Sequence, residues 1–168
     1  MALAPFIAIL FPALMVLSAS MDFLTMRIPN QIPAALALGY LVLAAAAPLP
    51  LQAVLSDLSC SLGILVMTFV MFSLRWIGGG DAKLAAATAL WMGWGSILDY
   101  GITASVCGGL LTVGLLMART MPLPTILAQH SGIARLHDRA TGVPYGIALA
   151  VAGLIEYPHT ALWTTALH

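Results

Sequence analysis

Six long apolar runs, separated by prolines and glycines, constrain this chain more than any other feature of its sequence. They span about Ala4 to Ser20, Ile32 to Ala47, Leu51 to Leu74, Ala82 to Leu98, Ile102 to Ala118, and Val143 to Tyr157 or somewhat beyond. A helix that crosses a bilayer needs about 20 mostly apolar residues, in a range of about 17–25. The second and sixth runs are short by that measure, and only Asp99-Tyr100-Gly101 parts the fourth from the fifth. Breakers mark most joints: Pro29 and Pro33, Pro48 and Pro50, Gly78 to Gly80, Gly101, Pro122 and Pro124, Gly142 and Pro144. The expected fold is an all-α bundle of six transmembrane helices in a single domain over residues 1–168.

Composition agrees with a lipid solvent. Hydrophobic residues make up 61% of the 168 and charged residues only 7%, with a mean hydropathy of +1.03. A soluble domain carries about 25% charged residues, and a chain this poor in charge would expose large apolar patches to water. Formal net charge is zero, so electrostatics provide no reason to expect a nucleic-acid partner. Cys60 and Cys107 form no CxxC pair, which speaks against zinc; they read as small buried hydrophobes. No Lys or Arg precedes Arg27, so the first run lacks the basic start of a signal peptide and is expected to stay as a span.

The few cations are informative by position. Arg27 lies in the first connection, Arg75 and Lys83 flank the third, and Arg119, Arg135 and Arg139 lie in the fifth. All six sit on one side of a six-span frame. Lys and Arg in short loops favour the cytoplasm. The odd-numbered connections are therefore expected in the cytoplasm and both termini outside it. The fifth connection holds Ile126, Leu127, Ile133 and Leu136 among Gln129, His130 and Arg135. It reads either as a short interfacial amphipathic helix or as an irregular loop.

Ionisable groups in or near spans are costly and are functional candidates. Asp22 ends the first run and Asp81 opens the fourth, at the same expected face. Asp57 and Asp99 lie toward the other face, Asp138 in the long cytoplasmic connection, and Glu156 near the outer end of the last run. Two neighbouring carboxylates do not both ionise readily and share a proton. The ionised member takes a proton from water while the protonated one polarises a carbonyl. The histidines (His130, His137, His159 and His168) have no convincing Ser or Cys partner, and no HExxH zinc motif is present. Plainer readings stand beside these. Asp81, after three glycines, also suits a helix N-cap. Asp22 also suits an interfacial turn, and Lys83 a headgroup anchor.

Two segments together resemble the prepilin peptidases, or type IV leader peptidases. Asp22 followed by Arg27-Ile28-Pro29-Asn30 is similar to that family's first aspartate segment. Gly78-Gly79-Gly80-Asp81-Ala82-Lys83-Leu84 is similar to its GxGDxKL signature, and Val143-Pro144-Tyr145-Gly146 to the segment that opens its last span. The resemblance implies an intramembrane aspartyl endopeptidase that removes a short basic leader from a prepilin or pseudopilin at the cytoplasmic face of the inner membrane. Asp22 and Asp81 would be the catalytic pair, without metal or organic cofactor. Gly78, Gly79 and Gly80 would shape the substrate cleft. Lys83 and Arg27 would either tune the pair or touch headgroups, with headgroups the favoured reading. The segment with two CxxC pairs found in larger members is missing here, which resembles the short Flp-type form and makes methyltransferase activity doubtful. The archaeal preflagellin peptidases are similar in size. A small proton-coupled transporter or channel subunit is the alternative from another class, and the oligomeric state is open.

Overall fold

The computed structural model describes residues 4–46, 49–124, 131–138, 141–160 and 162–163. Among these residues every regular element is helical. The helices are α1 (Ala4–Thr25), α2 (Gln31–Ala46), α3 (Leu51–Ser73), α4 (Gly79–Ala118), α5 (Ser131–His137) and α6 (Tyr145–Glu156), the last followed by a 3₁₀ turn at Tyr157–His159. Ser131–His137 settles half of the question about the fifth connection in favour of a helix. Ile126, Leu127, Gln129, His130, Arg139 and His168 lie outside the described residues.

Two helices, Leu51–Ser73 and Gly79–Ala118, are long and apolar enough to cross a membrane by length and composition. The second has 40 residues, about 60 Å if straight, twice the hydrocarbon thickness of about 30 Å. It is not straight. Gly93 adopts φ 60 and ψ 179, a region essentially restricted to glycine, and divides α4 into two limbs. The first runs antiparallel to α3: Gly79 lies against Phe72, the Thr68 hydroxyl near the Ala82 carbonyl, Ser61 donates to the Ala86 carbonyl, and Gly93 abuts Asp57. The second limb returns along α6. Thr103 donates to Glu156 at one end, and Gly108 and Thr112 meet Tyr145 at the other.

The expected joint at Asp99-Tyr100-Gly101 is therefore misplaced: these residues are helical and the break lies at Gly93. A lone glycine such as Gly101 interrupts no hydrogen bond in a helix. Gly93 differs because a β-carbon there would sit 2.5 Å from Asp57 Oδ1.

The interior is sealed by aromatics at the end remote from Asp81. Trp91 is 1% exposed and its indole N–H donates to the Leu36 carbonyl at 2.9 Å. Phe11 stacks on Tyr157 with ring centroids 4.4 Å apart. Small residues on α6 allow this closeness: Gly153 lies against Met15, Phe11 and Thr88. Outward, α3 and α4 present Leu62, Phe69, Val106, Leu110 and Val113, all more than half exposed. Such a surface suits lipid rather than water.

Candidate active site

α1 buries one stripe, Phe11, Met15, Ser18 and Asp22. The spacing of four, three and four residues places them on one helical face. The stripe is apolar at its start and ends in a carboxylate that is 5% exposed. That charge is met by the start of another helix. The Gly146 N–H, near the beginning of α6, donates to Asp22 Oδ2 at 2.7 Å, and the Ile147 N–H faces the same carboxylate. Free N–H groups and the helix dipole make a helix N-terminus a natural seat for an anion. A β-carbon on residue 146 would lie 2.7 Å from that carboxyl oxygen, so glycine is what permits the approach.

Asp81 is held by its own helix. Gly78 is the N-cap of α4, so Asp81 stands three residues inside the helix and is not the cap that its position after glycines suggested. Its carboxylate reaches back to the Gly78 N–H, the reciprocal half of a capping box. A β-carbon at Gly78 would approach Asp81 Oδ2 to 2.8 Å. Gly80 packs against Ile28, where a β-carbon would meet Ile28 Cβ at 3.1 Å, and Gly79 lies against the Phe72 ring.

The chain enters this region through two sharp stops. After α1, Met26 takes φ 54 and its N–H bonds the Asp22 carbonyl at 2.8 Å. After α3, Arg75 takes φ 62, its N–H bonds the Phe72 carbonyl, and the Trp76 N–H bonds the Met71 carbonyl, the paired bonds of a Schellman motif. Both left-handed positions are occupied by residues with side chains, at a cost of about 1–2 kcal/mol each.

These pieces enclose one cavity. Asp22, Met26, Arg27, Ile28, Gly78, Gly79, Gly80 and Asp81 line a space of about 330 Å³. Asp81 lies within electrostatic reach of Asp22. The structure thus gathers the two aspartates, the three glycines and Arg27. Lys83 stands just outside, where its ammonium donates to the Asn30 side-chain oxygen at 2.9 Å. This bond ties the first turn of α4 to the α1–α2 link and is a role that neither sequence reading of Lys83 contained. The other acids are elsewhere. Asp57 accepts from the Tyr40 hydroxyl at 2.6 Å, Glu156 accepts from Thr103, and Asp99 and Asp138 are exposed. Among the described residues no three His, Cys, Asp or Glu side chains gather as a metal site.

Sequence reasoning named the Val143-to-Gly146 segment but gave it no part in the site; the structure places its glycine on Asp22. Arg119 was read only as a topological charge. It is buried, and its guanidinium donates to the carbonyls of Leu136, Thr141 and Gly142 at 2.8 to 2.9 Å. It thereby holds the segment leading into α6. A buried arginine in so apolar a chain was the available signal.

The profile of the type IV leader peptidase family matches residues 9–113, a stretch that contains both aspartates and the glycine triplet. The chain belongs to the type IV leader peptidase family. Two prepilin leader peptidase/N-methyltransferases, from Aeromonas hydrophila and from Aeromonas salmonicida (strain A449), are each 27% identical over 104 residues, covering 56% of this chain and 30% of the relative. The match thus spans under a third of the length of these curated relatives. No solved structure gives a significant match.

Proposed function

We propose that this family member is an intramembrane aspartyl endopeptidase acting on type IV prepilin-like precursors, with Asp22 and Asp81 as its catalytic pair. The observation that carries the reading is two carboxylates from different helices opening into one cavity at one end of the bundle. One oxygen of Asp22 is anchored by Gly146, and Asp81 leans on Gly78. Both carboxylates border the same cavity, where they can share a proton and face a peptide. In the ionised state one carboxylate takes a proton from the attacking water. The protonated partner donates to the scissile carbonyl and carries the charge that develops there. Gly78 to Gly80 let Asp81, Phe72 and Ile28 close on the start of α4 and so shape the cavity wall that an extended substrate backbone meets.

Membrane placement follows the same geometry. Arg27 lines the aspartate cavity, Lys83 bonds the α1–α2 link that holds Arg27, and Arg119 bonds the turn that opens α6. That end faces the cytoplasm by the distribution of basic residues. In this reading the two limbs of α4, parted at Gly93, count as separate crossings, the first a short one of about 21 Å, in a six-span frame with both termini outside. The substrate leader, short and basic, then lies in the cytoplasm with the pair.

The test is reconstitution of the purified protein in liposomes with a peptide carrying a basic leader, a glycine and an apolar helix. Cleavage after the glycine by the parent and none by Asp22→Asn or Asp81→Asn is the expected outcome. Normal cleavage by either variant would reject the assignment. Orientation is checked separately with single cysteines. An impermeant thiol reagent should label Gln52→Cys from outside the cell and leave Trp76→Cys unlabelled.

A further inference from the structure

Asp22 and Arg119 are the two charged side chains that the described residues bury, at 5% and 8% exposure. Their link is indirect. One short stretch of chain, Thr141 to Gly146, bonds both. At its start Arg119 donates through Nη2 to the carbonyls of Thr141 and Gly142, each at 2.9 Å. Nε of the same guanidinium donates to the Leu136 carbonyl at 2.8 Å. Leu136 lies in the last turn of α5, where carbonyls lack helical partners and a cation is favoured. At the end of the stretch the Gly146 N–H donates to Asp22 Oδ2 at 2.7 Å.

Between these ends the chain has little freedom. Pro144 takes φ −74 and ψ 83, and the Tyr145 N–H bonds the Val143 carbonyl at 2.9 Å. That is an inverse γ-turn, centred on a residue whose ring fixes φ. The Ile147 N–H then bonds the Pro144 carbonyl at 3.3 Å. A displacement at Gly142 is therefore carried through to Gly146 rather than absorbed on the way. The second limb of α4 meets the stretch once more, where Thr112 bonds the Tyr145 hydroxyl at 3.2 Å. That bond is exposed and reaches only a side chain. The arginine acts on the main chain itself, and its planar fork suits several carbonyls at once, as a lysine's point charge does not.

We propose that Arg119 is a positioning residue for Asp22. By holding the carbonyls of Thr141 and Gly142 it fixes where the Gly146 N–H stands, and with it the carboxyl oxygen which that N–H anchors. Arg119 is not among the residues that line the aspartate cavity, so it acts through Gly146 and not on the peptide. Its effect on cleavage rests on the peptidase reading above; its effect on the Gly146–Asp22 bond does not.

The experiment uses the full chain in detergent, labelled with carbonyl-13C tyrosine and 15N glycine. An amide spectrum filtered for tyrosine–glycine pairs shows only Gly101 and Gly146, because only Tyr100 and Tyr145 precede glycine. Asp22→Ala identifies the Gly146 signal, whose proton is drawn downfield by the short bond to a carboxylate. Arg119→Gln should move that proton upfield, toward its position in Asp22→Ala, and leave Gly101 in place. With a leader peptide in liposomes it should lower kcat at least about tenfold and keep KM within about threefold, since a small misplacement costs rate where geometry carries catalysis. Arg119→Lys should recover part of both. It carries the test alone should Arg119→Gln fail to fold, as loss of the Gly101 signal would reveal. Thr112→Val should leave the Gly146 signal and the rate as in the parent. An unmoved Gly146 signal in the arginine variants would overturn the proposal, as would a moved signal with parent kcat, or an equal displacement in Thr112→Val. A moved signal in a protein whose parent cleaves no leader peptide rejects the peptidase and keeps the arginine's hold on Asp22.

Discussion

The two ends of the first limb of α4 carry the same local device and put it to different uses. At one end Asp57 presses against Gly93; at the other Asp81 leans on Gly78 and, across the cavity, Asp22 leans on Gly146. In each case a β-carbon on the glycine would come within 2.5 to 2.8 Å of a carboxyl oxygen. The glycines at the two ends, Gly78 and Gly93, lie fifteen residues apart, about 22 Å along the axis. What differs is the company. Asp57 is a single acid whose partner is a phenol 2.6 Å away, at a break in the helix. Asp22 and Asp81 are two acids held chiefly by main-chain N–H groups, with a shared cavity before them. A carboxylate on a glycine is thus a structural joint when a side-chain donor pairs with it. It becomes a candidate for chemistry when a second carboxylate and open space take that donor's place.

The sharpest way to break this contrast is amide substitution at both ends. Asp22→Asn and Asp81→Asn should each reduce peptide cleavage at least about a thousandfold, and the double variant should be little worse, because the pair acts as one unit. Asp57→Asn should keep cleavage within about threefold. Comparable losses at all three positions, read by peptide cleavage in liposomes, would erase the distinction between joint and site.

A smaller effect is expected from a single methyl group. Gly146→Ala pushes on Asp22, and a displacement of about 1 Å costs on the order of a hundredfold when positioning carries catalysis. Cleavage should therefore fall at least about tenfold while the thermal midpoint in detergent holds. Gly93→Ala should do the reverse, lowering the midpoint through a strained backbone worth about 1–3 kcal/mol. The pH profile sharpens the same point. The parent should show a bell: acid protonates both aspartates and removes the base, and alkali ionises both and removes the acid. Asp57→Asn should leave that bell in place, as measured by initial rates across pH. The smallest effect belongs to Arg75→Gly, which relieves a left-handed residue at the end of α3. It should raise the thermal midpoint by a few degrees, corresponding to about 1 kcal/mol or less, with cleavage unchanged.

How far the sequence could be read varied with the kind of interaction. Helical character and the apolar exterior follow from long hydrophobic runs, which no tertiary detail can overrule in a chain so short of charge. The closeness of Asp22 and Asp81 was readable because both stand at ends of apolar runs on the side that also holds the cations. The turn at Gly93 was not. Its neighbours Met92 and Trp94 look like helix interior, and only the Asp57 carboxylate, 36 residues earlier in sequence, shows why a glycine must stand there. The plainer alternative for Asp81, a cap after three glycines, also misjudged the helix start, which lies two residues sooner, at Gly79. The Lys83–Asn30 and Arg119–Thr141 bonds join residues far apart in sequence, and nothing local announces either.

The bond from the Gly146 main chain to Asp22 has a consequence for how this site tolerates mutation. A donor that belongs to the backbone is present whichever side chain the position bears, and only proline would delete it. The hold on Asp22 is therefore protected from side-chain replacement in a way that a serine or lysine donor would not be. The vulnerable property is bulk: what residue 146 must preserve is emptiness, and a substitution there harms by what it adds.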